Sequence, residues 1–284
     1  MGHRARCGLA VTELELLVGH MTESKQKNRK AADTAQKASP APQVNGSLPL
    51  YRDPRPVHGA THANSAVIVA PTDFGFAAGA PMVQLSVDEF ERAALDYPIL
   101  FFGDDRQPYV VTALEAERNL FVTEGGYRPG AYIPAYLRRY PFVFARDEGS
   151  DRLILCLDHA SGRVADKGDE GAVALFEDGT PTELTLQALR FCENYEAAQA
   201  RTRLLVELLD EHDLFEVKSV HYTAPGATAP SLLVEYRSVD RARFEALPAD
   251  AFLRLRDAGA LPAIHAQIAS QAKWEALAAI AGQT

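Results

Sequence analysis

Cys156, Asp158 and His159 stand together in "CLDHASGR", and a thiol or carboxylate beside an imidazole is the pairing that nucleophilic and acid–base chemistry uses. Alternate side chains of a strand share a face, which puts Cys156 with Asp158 and turns His159 the other way. Cys156 lies between Leu155 and Leu157 and reads as a small core residue. Asp158 and His159, at the strand's end, are then the weak candidates for a catalytic acid–base pair lining a cleft. His58 and His62 have the four-residue spacing of a metal pair on one helix face, but Gly59, the prolines before them and the lack of a nearby acid argue against a helix there. No metal site is expected. Asp104-Asp105 and Asp147-Glu148 fall in turn sequences, where carboxylates bond local backbone and stay solvated and ionised. No GxGxxG, Walker-type, HExxH, GxSxG or CxxC spacing occurs, so no cofactor is expected and the chain leans away from an enzyme.

A second set of residues suits recognition better. Eleven tyrosines and phenylalanines gather between Tyr97 and Phe144, with Arg128, Arg138 and Arg139 among them. Many of these rings must be core, yet tyrosine beside arginine is also the mixture enriched at protein contacts. Tyr127, Arg128, Tyr132, Tyr136, Arg138, Arg139 and Tyr140 are therefore the candidate binding residues, for a protein or peptide partner.

These residues depend on a repeated local pattern. "SVDEFERAAL" predicts a short helix capped by Ser86 and ended by Tyr97-Pro98, followed by strands "ILFF" and "YVVTAL" around the turn "GDDRQP". "IPAYLRRYP", "FVFA", "RDEGSD" and "RLILCLD" repeat the order of helix, Tyr-Pro and hairpin, and the two copies are expected to be paired halves of one antiparallel sheet. "NLFVTEGGYRPGAYIP" between them predicts a further hairpin turning at Gly125-Gly126. Upstream, "SAVIVAP" predicts a buried strand. From Pro181 the apolar period turns helical, with Leu184, Leu186, Leu189, Phe191 and Tyr195, then Leu204, Leu205, Leu208 and Leu209, along one amphipathic helix of about 30 residues. A hairpin with its loop near 225–230 and terminal helices follow, one of them stopped by Gly259. The fold class is α+β: an antiparallel sheet built from hairpins, packed by the long helix and the C-terminal helices.

Residues 1–47 are poor in apolar side chains after Met21 and predict a disordered tail; residues 48–284 predict a single domain, entered through the extended proline-rich arm "LPLYRDPRPVH". Either Met1 or Met21 can serve as the start. Residues 1–50 hold seven Lys/Arg against four Asp/Glu, which leaves 22 against 34 for the rest. So acidic a body excludes general nucleic-acid binding. Three cysteines make no even disulfide framework, Glu13 and Glu15 interrupt the early apolar stretch, and no segment is apolar enough to span a bilayer, so a cytoplasmic protein without membrane insertion is expected.

The segments "GAYIPAYLRRYPF" and "LLVEYRSVDRARFEALP" resemble the SapC family of bacterial proteins, and the likeness runs over about residues 48–277. The family is named for loci that export surface-layer protein, and the resemblance brings no catalytic residues with it. It implies an accessory or binding protein linked to export or modification of a cell-surface protein. The alternative it leaves is a peptide-modifying enzyme or the obligate subunit of an oxygenase- or halogenase-type system.

Overall fold

The computed structural model describes residues 48–147, 150–223 and 228–282. The expected disordered tail and the choice of start codon lie outside the described residues.

The chain enters through β1 (Pro54–Pro56), β2 (Ser65–Ile68) and β3 (Met82–Gln84), then a 3-10 turn at Val87–Glu89 leads into the single-turn helix α1 (Phe90–Ala93). The Glu89 carboxylate accepts the Ser86 backbone N–H at 2.9 Å and its hydroxyl at 2.7 Å, so the predicted cap closes the helix entry. After Tyr97-Pro98 come β4 (Ile99–Phe102) and β5 (Gln107–Val111), then the small hairpin β6 (Val122–Thr123) and β7 (Gly126–Tyr127). Its turn is Glu124-Gly125, both at positive φ, one residue before the expected glycine pair. Helix α2 (Ala135–Arg138) leads to β8 (Phe142–Asp147) and the return strand β9 (Ser150–Asp158). Four short strands follow, β10 (Val164–Asp166), β11 (Ala172–Ala174), β12 (Phe176–Glu177) and β13 (Thr180–Pro181). Helix α3 (Glu183–Glu211) has the expected length, and β14 (Phe215–Tyr222) with β15 (Ser231–Val239) forms the late hairpin. Helices α4 (Arg241–Glu245), α5 (Ala249–Asp257), α6 (Leu261–Ser270) and α7 (Lys273–Ala281) complete the described chain, with Gly259 in the left-handed conformation just past α5.

The α+β class is as expected, but the two Tyr-Pro hairpins do not share a sheet. β4 and β5 are central in a five-stranded antiparallel sheet of order β14-β15-β4-β5-β3, while β8 and β9 belong to a separate sheet of order β1-β9-β8. The reason is edge occupancy. β15 and β3 already cover the outer edges of the first hairpin, and the proline-rich arm covers β9 through the pairs Pro54–Asp158 and Pro56–Cys156. Sequence-distant strands satisfy the backbone groups that the repeat would otherwise have shared.

β4 and β15 meet at only one register pair, Arg237 with Phe101, and α6 fills the backbone demand where they part. Gln267 donates to the Ile99 carbonyl at 3.0 Å and accepts the Val239 N–H at 3.0 Å, while the Ser270 hydroxyl accepts the Ile99 N–H at 3.0 Å. Both side chains are fully buried, because each replaces a missing ladder bond. Helices α6 and α7 are separated at Gln271-Ala272, where Gln271 turns inward to the Ile99 carbonyl and the Tyr236 hydroxyl.

Helix α3 buries Tyr195, Leu205, Leu208 and Leu209 of the expected stripe, while Leu184, Leu186, Leu189 and Phe191 are half-buried and Leu204 is exposed; Thr185, Cys192, Ala198, Gln199 and Thr202 complete the inward face. Thr202 belongs there because its hydroxyl accepts the Val87 N–H at 2.8 Å and donates to the Ala198 carbonyl at 2.7 Å, tying α3 to the start of α1.

Candidate functional site

Asp158 is fully buried, and its carboxylate is taken up in holding the arm to the end of β9. Oδ1 accepts the Asp53 N–H at 2.8 Å and the Ala160 N–H at 3.1 Å; Oδ2 accepts the Arg52 N–H and the Tyr140 hydroxyl, each at 3.3 Å. A sealed carboxylate with both oxygens engaged cannot exchange protons with a substrate, so the expectation of Asp158 as a cleft acid is corrected: it is an anchor. His159 turns away from it, as alternation requires, and its Nε2 lies 3.2 Å from Nε2 of buried His62. His62 Nδ1 meets the His58 N–H at 3.2 Å, the His58 carbonyl at 3.3 Å and the Thr61 hydroxyl at 2.9 Å, so the tautomer of the pair sets which ring donates to the other. Burial is the main cause that lowers both imidazole pKa values, and the neighbouring Arg55 charge adds to it. Among the described residues no three His, Cys, Asp or Glu side chains converge as a metal site. Cys156 and Cys192 are buried, and burial pushes both thiols up to about 12.

The Tyr/Arg segment splits into an outer and an inner set. Helix α2 is a single turn, so Arg138 and Arg139 diverge by about 100° and cannot share a face. Outside, Arg128 and Arg138 are exposed, and Tyr127 and Tyr132 are half-buried. Arg138 is held in place: Nε donates to the Ile133 carbonyl at 3.0 Å, Nη2 donates to the Tyr132 hydroxyl at 3.2 Å, and Cζ stands 5.5 Å from the Phe191 ring. Tyr132 in turn donates to Glu89 at 2.9 Å; burial and the Glu89 charge push its phenol up to about 12. Tyr127 meets the Tyr97 hydroxyl at 2.8 Å.

Inside, Tyr136, Arg139 and Tyr140 keep only 4%, 6% and 7% of their surface exposed, so they do not belong to an exposed recognition face. Tyr140 stacks on Phe76 at 3.9 Å and serves Asp158. Arg139 sits in a corner of rings, its Cζ 4.3 Å from the centroids of Tyr136 and Tyr195 and 5.6 Å from that of Tyr51. Burial works against the guanidinium charge, the faces of the Tyr51, Tyr136 and Tyr195 rings offset part of that cost, and the group stays charged. Its Nε is buried without an acceptor. Arg139 borders a cleft of about 600 Å³ formed by residues 48–50 of the arm, β3, β5 and α3, with Gln84, Tyr195 and Gln199 among its walls. Tyr195 and Gln199 were not singled out for binding in the sequence. A glutamine on the inward stripe of α3 is the signal that could have found the second.

The SapC family model matches residues 58–277, which include both arginines, α3 and the His62–His159 pair. The chain belongs to the SapC family. Comparison with curated proteins and with solved structures returned no match. The matched region begins after β1, so the arm residues 48–50 that wall the cleft lie outside it.

Proposed function

We propose that this SapC-family chain is a non-enzymatic cytoplasmic accessory protein that binds an extended polypeptide during export or modification of a cell-surface protein. The carrying observation is Arg138. It is exposed, fixed by Ile133, Tyr132 and Phe191, and makes no ion pair among the described residues. It also borders two grooves: one of about 270 Å³ walled by Ile68, Val69 and Phe191, and one of about 230 Å³ walled by Asp88, Tyr132 and Asn194. Ile68 and Val69 are exposed, so an arginine is set between apolar wall and polar wall. That arrangement suits a chain carrying an acidic residue beside an apolar one, with Arg138 and Phe191 as anchors. Support for a binding rather than a chemical role comes from Asp158, whose oxygens are committed to the fold. No helix among the described residues is long and apolar enough to cross a membrane.

The test is capture of partners from native cells by the full chain, followed by calorimetry with the purified partner. Arg138→Ala with Phe191→Ala weakens binding by about tenfold or more, as loss of an anchored pair does, whereas Arg128→Ala changes it by less than about threefold. Unchanged affinity of the double variant for every captured partner refutes the surface. Turnover of a captured partner that is lost in His159→Ala refutes the non-enzymatic role.

A further inference from the structure

We propose that the cleft between the arm, β3, β5 and α3 binds a small carboxylate, with Arg139 as its counter-ion and Gln199 as a second donor. This site is separate from the Arg138 face and stands on its own observations.

The first is charge. A guanidinium 6% exposed calls for a compensating anion, because burying a cation alone is costly. The titratable side chains around Arg139 are Tyr51, Tyr195, Tyr136 and Cys192. Burial raises the pKa of each, so all four are neutral at neutral pH. Glu196 lines the same cleft, and its charge acts on Tyr195 and Cys192. Among the described residues no ion pair joins a carboxylate to Arg139, which leaves the ring faces as its direct neighbours.

The second is unmet hydrogen bonding. Among the described residues four buried side-chain nitrogens lack a partner, and two of them, Arg139 Nε and Gln199 Nε2, belong to residues lining this one cleft. Gln199 is 5% exposed, and it follows Tyr195 by one helical turn, on the same face of α3. A buried donor left unpaired is costly, so each of these two residues calls for an acceptor beside it.

The third is shape and charge number. About 600 Å³ suits a small organic ligand or a chain end, and Leu50, Met82 and Tyr109 offer apolar wall for its body. Asp105 and Glu196 also border the cleft and balance its two cations, Arg139 and the exposed Arg203, which leaves no net positive charge for a dianion such as phosphate. One buried guanidinium with an amide donor matches a planar monoanion. The carboxylate can come from a free organic acid or from the C-terminus of a polypeptide.

Calorimetry on the full chain decides, with 3-phenylpropionate and its primary amide, the peptide N-acetyl-Leu-Phe with free and with amidated C-terminus, and inorganic phosphate as probes. Expected is binding of the acids with at least about tenfold preference over their amides, the size of a charged hydrogen bond lost. Arg139→Gln abolishes that preference. Gln199→Leu weakens acid binding by about five- to tenfold and, as a neutral exchange, remains decisive even where Arg139→Gln fails to fold. Tighter binding of 3-phenylpropionate assigns a free acid, and tighter binding of the peptide assigns a chain end. No binding of either acid up to about 10 mM, amides bound as well as acids, or phosphate bound in their place overturns the proposal.

Discussion

Replacing Asp158 by alanine removes the acceptor of four donors at once: the N–H groups of Arg52, Asp53 and Ala160 and the Tyr140 hydroxyl. The contacts at 2.8 and 3.1 Å carry most of the effect, since the two at 3.3 Å are long and the Tyr140 hydroxyl can rotate to another partner. A hydrogen bond to a charged group contributes about 1.5–3 kcal/mol, so the two short ones give a loss of about 3–6 kcal/mol. At about 2–4 °C per kcal/mol for a domain of this size, the melting temperature falls by about 6–24 °C. Asp158→Asn keeps one carbonyl oxygen for the Asp53 and Ala160 pair but sets an NH₂ against the Arg52 N–H, and costs about 1–3 kcal/mol. Urea unfolding followed by circular dichroism, with the slope checked for constancy, measures both. The arm is the element expected to loosen first, so amide exchange at Arg52 and Asp53 accelerates before that of β14 or β15. If Asp158→Ala costs less than about 1 kcal/mol, its four contacts do not anchor the arm and the argument against its catalytic role fails with them.

The His62–His159 pair makes stability depend on pH with a definite sign. Both folded-state pKa values are lowered, chiefly by burial, with Arg55 opposing their charge and Asp53 and Asp158 favouring that of His159. Stability is then fully present above the ordinary histidine pKa of about 6.5 and is lost as pH falls through the lowered folded values. Urea midpoints between pH 7.5 and 5 read this loss, His159→Ala reduces the slope, and a pH-independent midpoint contradicts the contact. Cys156 and Cys192, with thiols pushed up to about 12, resist iodoacetamide at pH 8 in the folded chain and react in denaturant. Mass spectrometry of the two peptides checks this, and rapid native labelling of either refutes its burial.

Much of this molecule follows from local physics. The helix entry at Ser86, the hairpins after each Tyr-Pro pair, the length of α3 and the stop at Gly259 depend on caps, turns and periodicity that adjacent residues specify. Family membership was equally legible, in the wording around Arg138 and in "VEYRSVD". Tertiary structure decided the rest, because it depends on which distant groups meet. Two hairpins of like sequence went to different sheets once β3, β15 and the arm had taken their edges. Asp158 became an anchor because the arm, more than 100 residues earlier, brought its N–H groups there. Arg138 and Arg139 are neighbours of the same type, and a single turn of helix sent one to solvent and the other into a corner of tyrosines from the arm and α3. Period and composition assign a residue to an element; burial of its charge beside a cleft arises only when separate elements close around it.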